Sequence, residues 1–254
     1  MSLADDWRDQ HAVSIWIGFD PRETAAFAVA RQSVERYALK QWRISGLVLS
    51  KLKEAGLYTR PMEMRAGFDR PVMWDVLSDA PMSTEHANAR FLVPHLARTG
   101  WAGFMDGDMM VCENLPPLFS SLDKKYAVYC VKHKFEPPPG VKMDGQTQTR
   151  YARKNWSSFM IFHCNHPANK ELTLKAINTL PGRDLHRLCW LEDELIGELD
   201  PGWNFLVGHS TGKPKCIHWT EGTPDMKGYE DAPFGDEWRA ARDDWAMGQL
   251  SLPA

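Results

Sequence analysis

Two aspartates separated by a single glycine lie among apolar residues in the segment GFMDGDMMVC, residues 103–112. Carboxylates so close repel each other and lose hydration unless a positive charge lies between them. On a strand, residues i and i+2 point to the same side, so Asp106 and Asp108 can face one point. Gly107 can bend the strand and let the backbone come close to a ligand. A divalent cation that prefers oxygen ligands, Mg²⁺ or Mn²⁺, would relieve the repulsion and can hold a diphosphate. The alternative is a solvated acidic turn at a strand end.

Composition limits the class of protein. The chain has 254 residues, 43% of them hydrophobic and 25% charged, and a formal net charge of −3, which gives no electrostatic reason to expect a nucleic-acid partner. The five cysteines form no CxxC pair and are expected to be reduced thiols. No apolar run approaches the roughly 18 residues of a membrane span, and the N-terminus is polar and acidic. These features predict a cytoplasmic protein with no transmembrane segment.

Strands and helices are predicted to alternate along the chain. An apolar strand at 13–20 runs into a helical pattern at 21–39 with a proline near its start, the opening of a Rossmann-like unit. We expect one α/β domain over 1–254, a mixed sheet flanked by helices, with a flexible N-terminus at 1–12 and a C-terminal tail at 234–254. A segment rich in Pro and Gly at 135–150 is predicted to be a mobile loop or lid. The other predicted elements are strands at 43–52, 101–111, 126–133, 156–164 and 213–223, and helices at 81–99 (capped by Ser83 or Thr84), 166–180 and 188–199.

Two blocks of the chain carry a resemblance to a known family. Residues 88–119 contain, in order, Arg90, the run FLVP, the DGD motif and LPPLF, and residues 217–229 read IHWTEGTPDMKGY. In these blocks the chain resembles the family 8 glycosyltransferases, retaining enzymes with a GT-A fold that use nucleotide-diphosphate sugars. The resemblance extends over roughly 13–229, but only these two blocks are specific.

The resemblance implies a set of ligands for a metal and a diphosphate. Asp106, Asp108 and His218 would hold Mn²⁺ or Mg²⁺, while Gly222 and Lys227 would lie at the diphosphate, where positive charge stabilises a leaving group. Each of these residue types also has an ordinary interpretation. A histidine beside a tryptophan on an apolar strand is more often a packed core residue, and a lysine in a turn is usually solvated.

The resemblance also implies contacts to the rest of the donor. Gly18, Phe19 and Asp20, at the end of the first strand, fall where the family binds the nucleobase and ribose: Gly18 allows close approach, Phe19 could cover a base and Asp20 could accept a hydroxyl. Arg90 would reach over the donor near the diphosphate and the sugar. Its alternative is a surface salt bridge with Glu85.

Two other blocks depart from the family pattern. Where the family has F-N-[SA]-G, this chain has Trp156 to Phe159, reading WSSF, so the usual sugar contacts are changed. Where the family often has D-Q-D, the chain has EDE, residues 192–194, and Asp193 is our candidate for a residue near the sugar. An acidic run on a helix is otherwise usually a solvated face.

Together these features predict a metal-dependent hexosyltransferase that moves a sugar from a nucleotide-diphosphate sugar, a UDP-sugar by resemblance, to an unknown glycan, lipid or small-molecule acceptor. One alternative is a GT-A-like nucleotide-binding module without transfer activity. Another is a phosphatase of the haloacid dehalogenase type, in which the first aspartate is a nucleophile near the N-terminus and Thr or Val follows the second by two residues; here Met110 is in that place. No GxGxxG or GxxxxGK[ST] loop is present.

Overall fold

The computed structural model describes residues 13–67, 71–133, 153 and 155–250. The predicted loop at 135–150 and the expected flexible N-terminus at 1–12 lie outside these residues. Strands in chain order are β1 Val13–Gly18, β2 Arg43–Leu47, β3 Met62–Arg65, β4 Val72–Asp75, β5 Ala80–Pro81, β6 Trp101–Met105, β7 Met109–Val111, β8 Val128–Cys130, β9 Phe159–His163, β10 Ile196–Glu198, β11 Phe205–Leu206 and β12 Cys216–His218. The α-helices are α1 Thr24–Tyr37, α2 Leu49–Glu54, α3 Val93–Ala97, α4 Leu115–Ser120, α5 Leu174–Thr179, α6 Gly182–His186 and α7 Gly235–Leu250.

A six-stranded mixed sheet with the order β10-β8-β9-β6-β1-β2 forms the centre of the fold. Strand β1 pairs in parallel with β2 and β6, and β9 runs antiparallel to β6 and β8. All five residues of β6 are buried, as expected for a strand covered on both faces. The predicted α/β class with a mixed sheet flanked by helices is therefore confirmed.

The β1–α1 unit forms much as its sequence pattern predicts. Helix α1 buries one stripe that includes Ala26, Ala30 and Val34, and its opposite face carries exposed polar residues, so the apolar period of a helix places it against the sheet. The chain turns between β1 and α1 over five residues that include Pro21, which keeps the end of β1 close to the start of the helix.

The prediction of one strand over 101–111 is wrong. These residues form two strands in different sheets: β6 lies in the central sheet, whereas β7 belongs to a three-stranded sheet with the order β11-β12-β7. The aspartate motif lies in the turn between them, and β7 pairs antiparallel with β12. The turn packs against the end of β1, where a Cβ atom on Gly107 would be 2.5 Å from the carbonyl oxygen of Gly18.

Two of the predicted helices are also wrong over most of their length. Residues 81–99 contain a 3₁₀ helix at Ala89–Leu92 followed by the short α3, and neither is capped by Ser83 or Thr84. Ala89, Phe91, Leu92 and Val93 are all fully buried, so the apolar pattern reflects burial on every side. In 188–199, a 3₁₀ turn at Asp193–Leu195 leads into β10, which pairs with β8. The predicted helix at 166–180 is interrupted before Thr173, whose Oγ1 accepts a hydrogen bond from the amide of Ala176 and caps α5.

The segment expected to be a C-terminal tail contains the helix α7, which packs against α1. Its Trp238 is 1% exposed and belongs to an apolar cluster with Val29, Met110, Ile217 and Trp219. This cluster covers the outer face of the β7–β12 pair. No helix within the described part of the chain has the length and apolar character needed to cross a lipid bilayer.

Candidate metal centre

Three potential metal ligands converge where β6 ends and β12 passes beside β7. Asp106 and Asp108 lie in the β6–β7 turn, and His218 ends β12. The antiparallel register pairs His218 with Met109, so the histidine is adjacent to Asp108 across the two strands. One potential ligand atom from each of these three side chains lies within 4.8 Å of the others, and His218 Nε2 is 3.4 Å from Asp108 Oδ1. The predicted ligands are thus brought together at the carboxyl end of a central strand.

The turn that carries the two aspartates is packed directly against the end of β1. A Cβ atom added to Gly107 would be 2.5 Å from the carbonyl oxygen of Gly18, and one added to Gly18 would be 2.4 Å from the ring of His86. Both residues must therefore be glycine for reasons internal to the protein. From the sequence, Gly18 and Gly107 were predicted to let a ligand come close to the backbone. That contact stays a prediction.

Asp106 is held by two nitrogen donors. His86 Nε2 is 3.1 Å from its Oδ1, and an Arg90 nitrogen is 2.8 Å from the same oxygen. Burial alone would raise the pKa of Asp106, but the Arg90 charge and the His86 hydrogen bond outweigh burial and hold this pKa well below its usual range. Asp106 is therefore a carboxylate at neutral pH.

Arg90 is buried beside Asp106. It is 5% exposed, donates hydrogen bonds to the carbonyl oxygens of Ala87 and Ser157, and lies over the Phe104 ring at 4.8 Å. Its ion-pair partner is Asp106 and not Glu85, and its predicted contact with a donor stays a prediction. A buried guanidinium needs hydrogen-bond acceptors within the protein. Here one of them is Asp106, so Arg90 holds this carboxylate in place.

The donor set fits a divalent cation. Asp108 Oδ1 is buried and has no hydrogen-bond partner, although His218 Nε2 lies 3.4 Å from it. His218 is 3% exposed and its Nδ1 is 2.8 Å from Asn204 Oδ1, which leaves Nε2 on the side of Asp108. Two carboxylates and one imidazole are ligands that Mg²⁺ and Mn²⁺ accept, with positions left open for other oxygen ligands. The unpaired oxygen of Asp108 is the local sign that this cluster is built for a cation.

A further carboxylate near the motif was missed from the sequence. Glu23 lies just before α1; burial, followed by the charges of Asp108 and Asp20, raises its pKa to about 7. Its position just after the turn that follows β1 was the available signal, because the ends of β1 and β6 are neighbours in a parallel pair. His86 was likewise predicted only as part of a helix turn.

Asp20 is a buried carboxylate with hydrogen bonds to both of its oxygens. It is 2% exposed, its Oδ1 accepts hydrogen bonds from the amide and Nε of Arg22, and its Oδ2 accepts from the Arg22 side chain and the amide of Glu85. Burial raises the pKa of Asp20, but the hydrogen bonds from Arg22 have the larger combined effect and bring this pKa down to about 2. Both oxygens are thus engaged within the protein, and the predicted contact of Asp20 with a ribose hydroxyl stays a prediction. Phe19 is half-buried and packs edge-on against Phe27.

No described hydrogen bond or ion pair joins the remaining predicted residues, Gly222, Lys227 and Asp193, to the cluster. Gly222 is packed against the Tyr229 ring and lines a surface cavity of 340 Å³, and Lys227 is exposed on the following turn. Asp193 has a 72% exposed side chain and forms an ion pair with Arg153. The predicted contacts of these three residues with a diphosphate or sugar stay predictions.

The WSSF block contacts the metal site through its backbone. The carbonyl of Ser158 accepts a hydrogen bond from the amide of Asp106 at 3.0 Å, and that of Ser157 accepts from Arg90 at 2.8 Å. Ser157 Oγ lies 2.6 Å from His186 Nδ1, and burial, followed by the Arg90 charge, lowers the pKa of His186 to about 3. The imidazole of His186 is therefore neutral and is hydrogen-bonded to the Ser157 hydroxyl.

This arrangement of sheet, turn and late strand is that of the GT-A glycosyltransferases. The galactosyltransferase LgtC superposes with a TM-score of 0.55 at 13% identity, over 91% of this chain and 95% of LgtC. GlyE from Streptococcus pneumoniae TIGR4 gives 0.55 at 12% identity over 96% of this chain, and the bifunctional glycosyltransferase WbbM gives 0.53 at 16% over 91%. The chain spans only 65% of GlyE and about half, 52%, of WbbM. At these identities the likeness establishes the fold.

Sequence similarity places the chain in a family. No family model matches it. Protein CDI from Arabidopsis thaliana is 39% identical over 232 residues, which cover 88% of this chain and 83% of the plant protein. The protein therefore belongs to the family of Protein CDI and has the GT-A fold.

Proposed function

We propose that this protein is a metal-dependent glycosyltransferase of the retaining, family 8-like type. It transfers a hexosyl group from a nucleotide-diphosphate sugar, with UDP as the nucleotide, to a glycan, lipid or small-molecule acceptor. The observation that carries the proposal is the cluster of Asp106, Asp108 and His218 at the carboxyl end of β6, within a fold shared with glycosyltransferases.

Several side chains of the site supply the charges that a metal and a diphosphate need. Arg90 and His86 keep Asp106 ionised, and Asp108 contributes a carboxylate oxygen that has no hydrogen-bond partner. Bound at this cluster, Mn²⁺ or Mg²⁺ would supply a Lewis acid for the diphosphate leaving group. Lys227, on its exposed turn, adds positive charge for the same group.

The donor's other parts are assigned to two further residues in this proposal. Phe19, half-buried at the end of β1, presents an aromatic surface for a base, and Asp193 offers a carboxylate for sugar hydroxyls. Asp193 must exchange its ion pair with Arg153 for the sugar, and an exposed ion pair costs only about 0–1 kcal/mol to break.

A nucleotide-binding module without transfer activity is the second candidate. It is favoured by the WSSF block, in which Ser157 is engaged with His186, and by the exposed position of Asp193. A phosphatase is disfavoured because the hydrogen bonds from Arg90 and His86 reduce the nucleophilicity of Asp106. Turnover of p-nitrophenyl phosphate would support the phosphatase and contradict the proposal.

The test is thermal unfolding with UDP, GDP, CDP and ADP, each with Mn²⁺ and with EDTA. A ligand that binds only the folded state raises the melting temperature by mass action. We expect a rise with UDP that EDTA removes, and its loss in Asp108→Ala. The matched control is Asp243→Ala, which removes an exposed aspartate on α7 and should leave the rise unchanged. An equal rise with and without Asp108 would contradict the metal site.

Transfer itself is tested by incubating the protein with UDP-glucose or UDP-galactose and measuring the release of UDP. Release that needs Mn²⁺ and falls at least tenfold in Asp193→Asn, with an unchanged UDP-dependent rise in melting temperature, supports the enzyme. Nucleotide binding with no release from any UDP-sugar would favour the binding module.

A further inference from the structure

Asn204 is a fully buried polar residue that no part of the proposed chemistry uses. It closes the 3₁₀ turn Pro201–Asn204 just before β11 and has no exposed surface. Its Nδ2 donates a hydrogen bond to the carbonyl oxygen of Asn155 at 2.9 Å, and its Oδ1 lies 2.8 Å from His218 Nδ1. A buried carboxamide with both ends engaged has a fixed orientation.

The orientation of this carboxamide determines which nitrogen of His218 carries a proton. The carbonyl of Asn155 can only accept, so the amide nitrogen of Asn204 must face it and the amide oxygen must face His218. An oxygen acceptor at Nδ1 requires Nδ1 to be the protonated nitrogen in the neutral ring. The lone pair is then on Nε2, the atom that lies 3.4 Å from Asp108 Oδ1.

The anchor of Asn204 belongs to the same turn that supports Asp106. Asn155 has a left-handed backbone, with φ at 63°, and precedes the 3₁₀ helix Trp156–Ser158. Ser158 of that helix accepts the amide hydrogen of Asp106. One turn therefore positions a metal ligand on each side of the site, Asp106 directly and His218 through Asn204.

We infer that Asn204 is the positioning residue of the candidate metal centre: its carboxamide, anchored on Asn155, holds His218 as the Nδ1–H tautomer with the Nε2 lone pair directed to the metal position. The inference rests on the proposed function for its metal, whereas the hydrogen bond from Nδ1–H to Asn204 Oδ1 is a property of the metal-free protein. Outer partners of this kind contribute about 10–100-fold to metal affinity because they orient the ring and raise its basicity.

The first test is nitrogen NMR of ¹⁵N-histidine-labelled protein in EDTA at pH 8, with the His218 signals assigned by their loss in His218→Gln. We expect Nδ1 to be protonated in the wild-type protein, because Asn204 Oδ1 can only accept, and we expect Asn204→Leu to change the Nδ1 signal. An unprotonated Nδ1 in the wild-type protein, or an unchanged ring in Asn204→Leu, would overturn the inference. This result does not depend on whether the protein binds a metal or a nucleotide.

The second test is Mn²⁺ affinity measured by electron paramagnetic resonance of free Mn²⁺. Asn204→Leu should weaken binding about 10–100-fold. Asn204→Asp keeps an oxygen for Nδ1–H and should restore affinity to within a few fold. The matched control is Asn169→Leu: Asn169 is also buried and donates to two carbonyl oxygens, of Ala127 and His163. It should lower stability without changing Mn²⁺ affinity.

The outcomes separate the two proposals. If wild-type protein binds no Mn²⁺ but His218 has the expected tautomer, the metal-dependent function fails and the role of Asn204 in orienting the ring remains. If Mn²⁺ binds equally well to wild type and a folded Asn204→Leu variant, the positioning role fails and the metal site remains. An equal loss of affinity in Asn169→Leu would show a general effect of stability and also overturn the inference.

Discussion

The carbonyl oxygen of Gly18 lies 2.5 Å from the point at which a Cβ atom on Gly107 would stand. The end of β1 and the aspartate turn are therefore in direct backbone contact, with no room for a side chain between them. The position of Asp106 and Asp108 relative to the central sheet depends on this contact.

Gly107→Ala should accordingly damage both stability and metal binding. The added methyl group meets backbone, which cannot rotate away, so we expect a loss of about 1–3 kcal/mol in unfolding free energy and a weaker Mn²⁺-dependent nucleotide shift. Denaturant unfolding and the thermal shift assay measure the two effects. Gly103→Ala, on β6, is the control, since its methyl would meet side-chain atoms at 3.4 Å and beyond. Equal tolerance of both substitutions would contradict the packing argument.

The two aspartates of the motif should differ in their effect on the metal-free protein. Asp106→Ala leaves the buried Arg90 charge unpaired and should cost about 3–5 kcal/mol. Asp108→Ala removes a carboxylate oxygen that has no hydrogen-bond partner, and should change stability by about 1 kcal/mol or less. Urea unfolding in EDTA measures both. A larger loss for Asp108→Ala would mean that the metal-free site is organised around Asp108.

Glu23 should make stability depend on pH in the neutral range. Its folded pKa, raised to about 7, exceeds an unfolded value near 4.5, so between these pH values the folded state binds more protons and stability falls as pH rises. Glu23→Gln removes this loss. In EDTA we expect the variant to equal wild type near pH 4.5 and to be about 1 kcal/mol more stable at pH 7.5, after allowance for partial exposure.

The control for Glu23 is Glu35→Gln, on the exposed side of α1, where Glu35 pairs with Arg31. Its stability difference from wild type should stay flat over the same pH range. A flat difference for Glu23→Gln as well would show that Glu23 is ionised in the folded protein at pH 5.

Asp20 should contribute stability of the opposite pH dependence. Its folded pKa of about 2 lies below the unfolded value of 3.8, so its contribution is fully present above pH 4 and is lost as pH falls toward 2. Asn cannot accept the same charge-assisted hydrogen bonds from Arg22, so Asp20→Asn should cost about 2 kcal/mol at pH 7 and little at pH 2. Its UDP-dependent thermal shift should match wild type. Loss of that shift in a folded variant would support the predicted ribose contact.

Local pattern was sufficient where one element supplies its own signal. The apolar run of β1 and the helical stripe of α1 predicted both elements. The cluster was predicted from the family resemblance around the DGD motif and the late histidine. The long-range partners were not predictable, because the ion pair of Arg90 with Asp106 and the hydrogen bond of Asn204 to His218 join separate elements and leave no periodic trace. The apolar residues around Phe91 were read as one face of a long helix, whereas they are buried on all sides by contacts with separate elements.

The pairing of Met109 with His218 has a consequence for how this site can vary among proteins. The distance between Asp108 and His218 is set by one rung of an antiparallel ladder, and not by the segment of chain that joins β7 to β12. Loops within that segment, other than the turns that carry Asn155 and Asn204, can lengthen, shorten or be replaced while the ladder keeps its register. Sequence diversity can therefore accumulate between the two halves of the site without displacing the three side chains of the cluster.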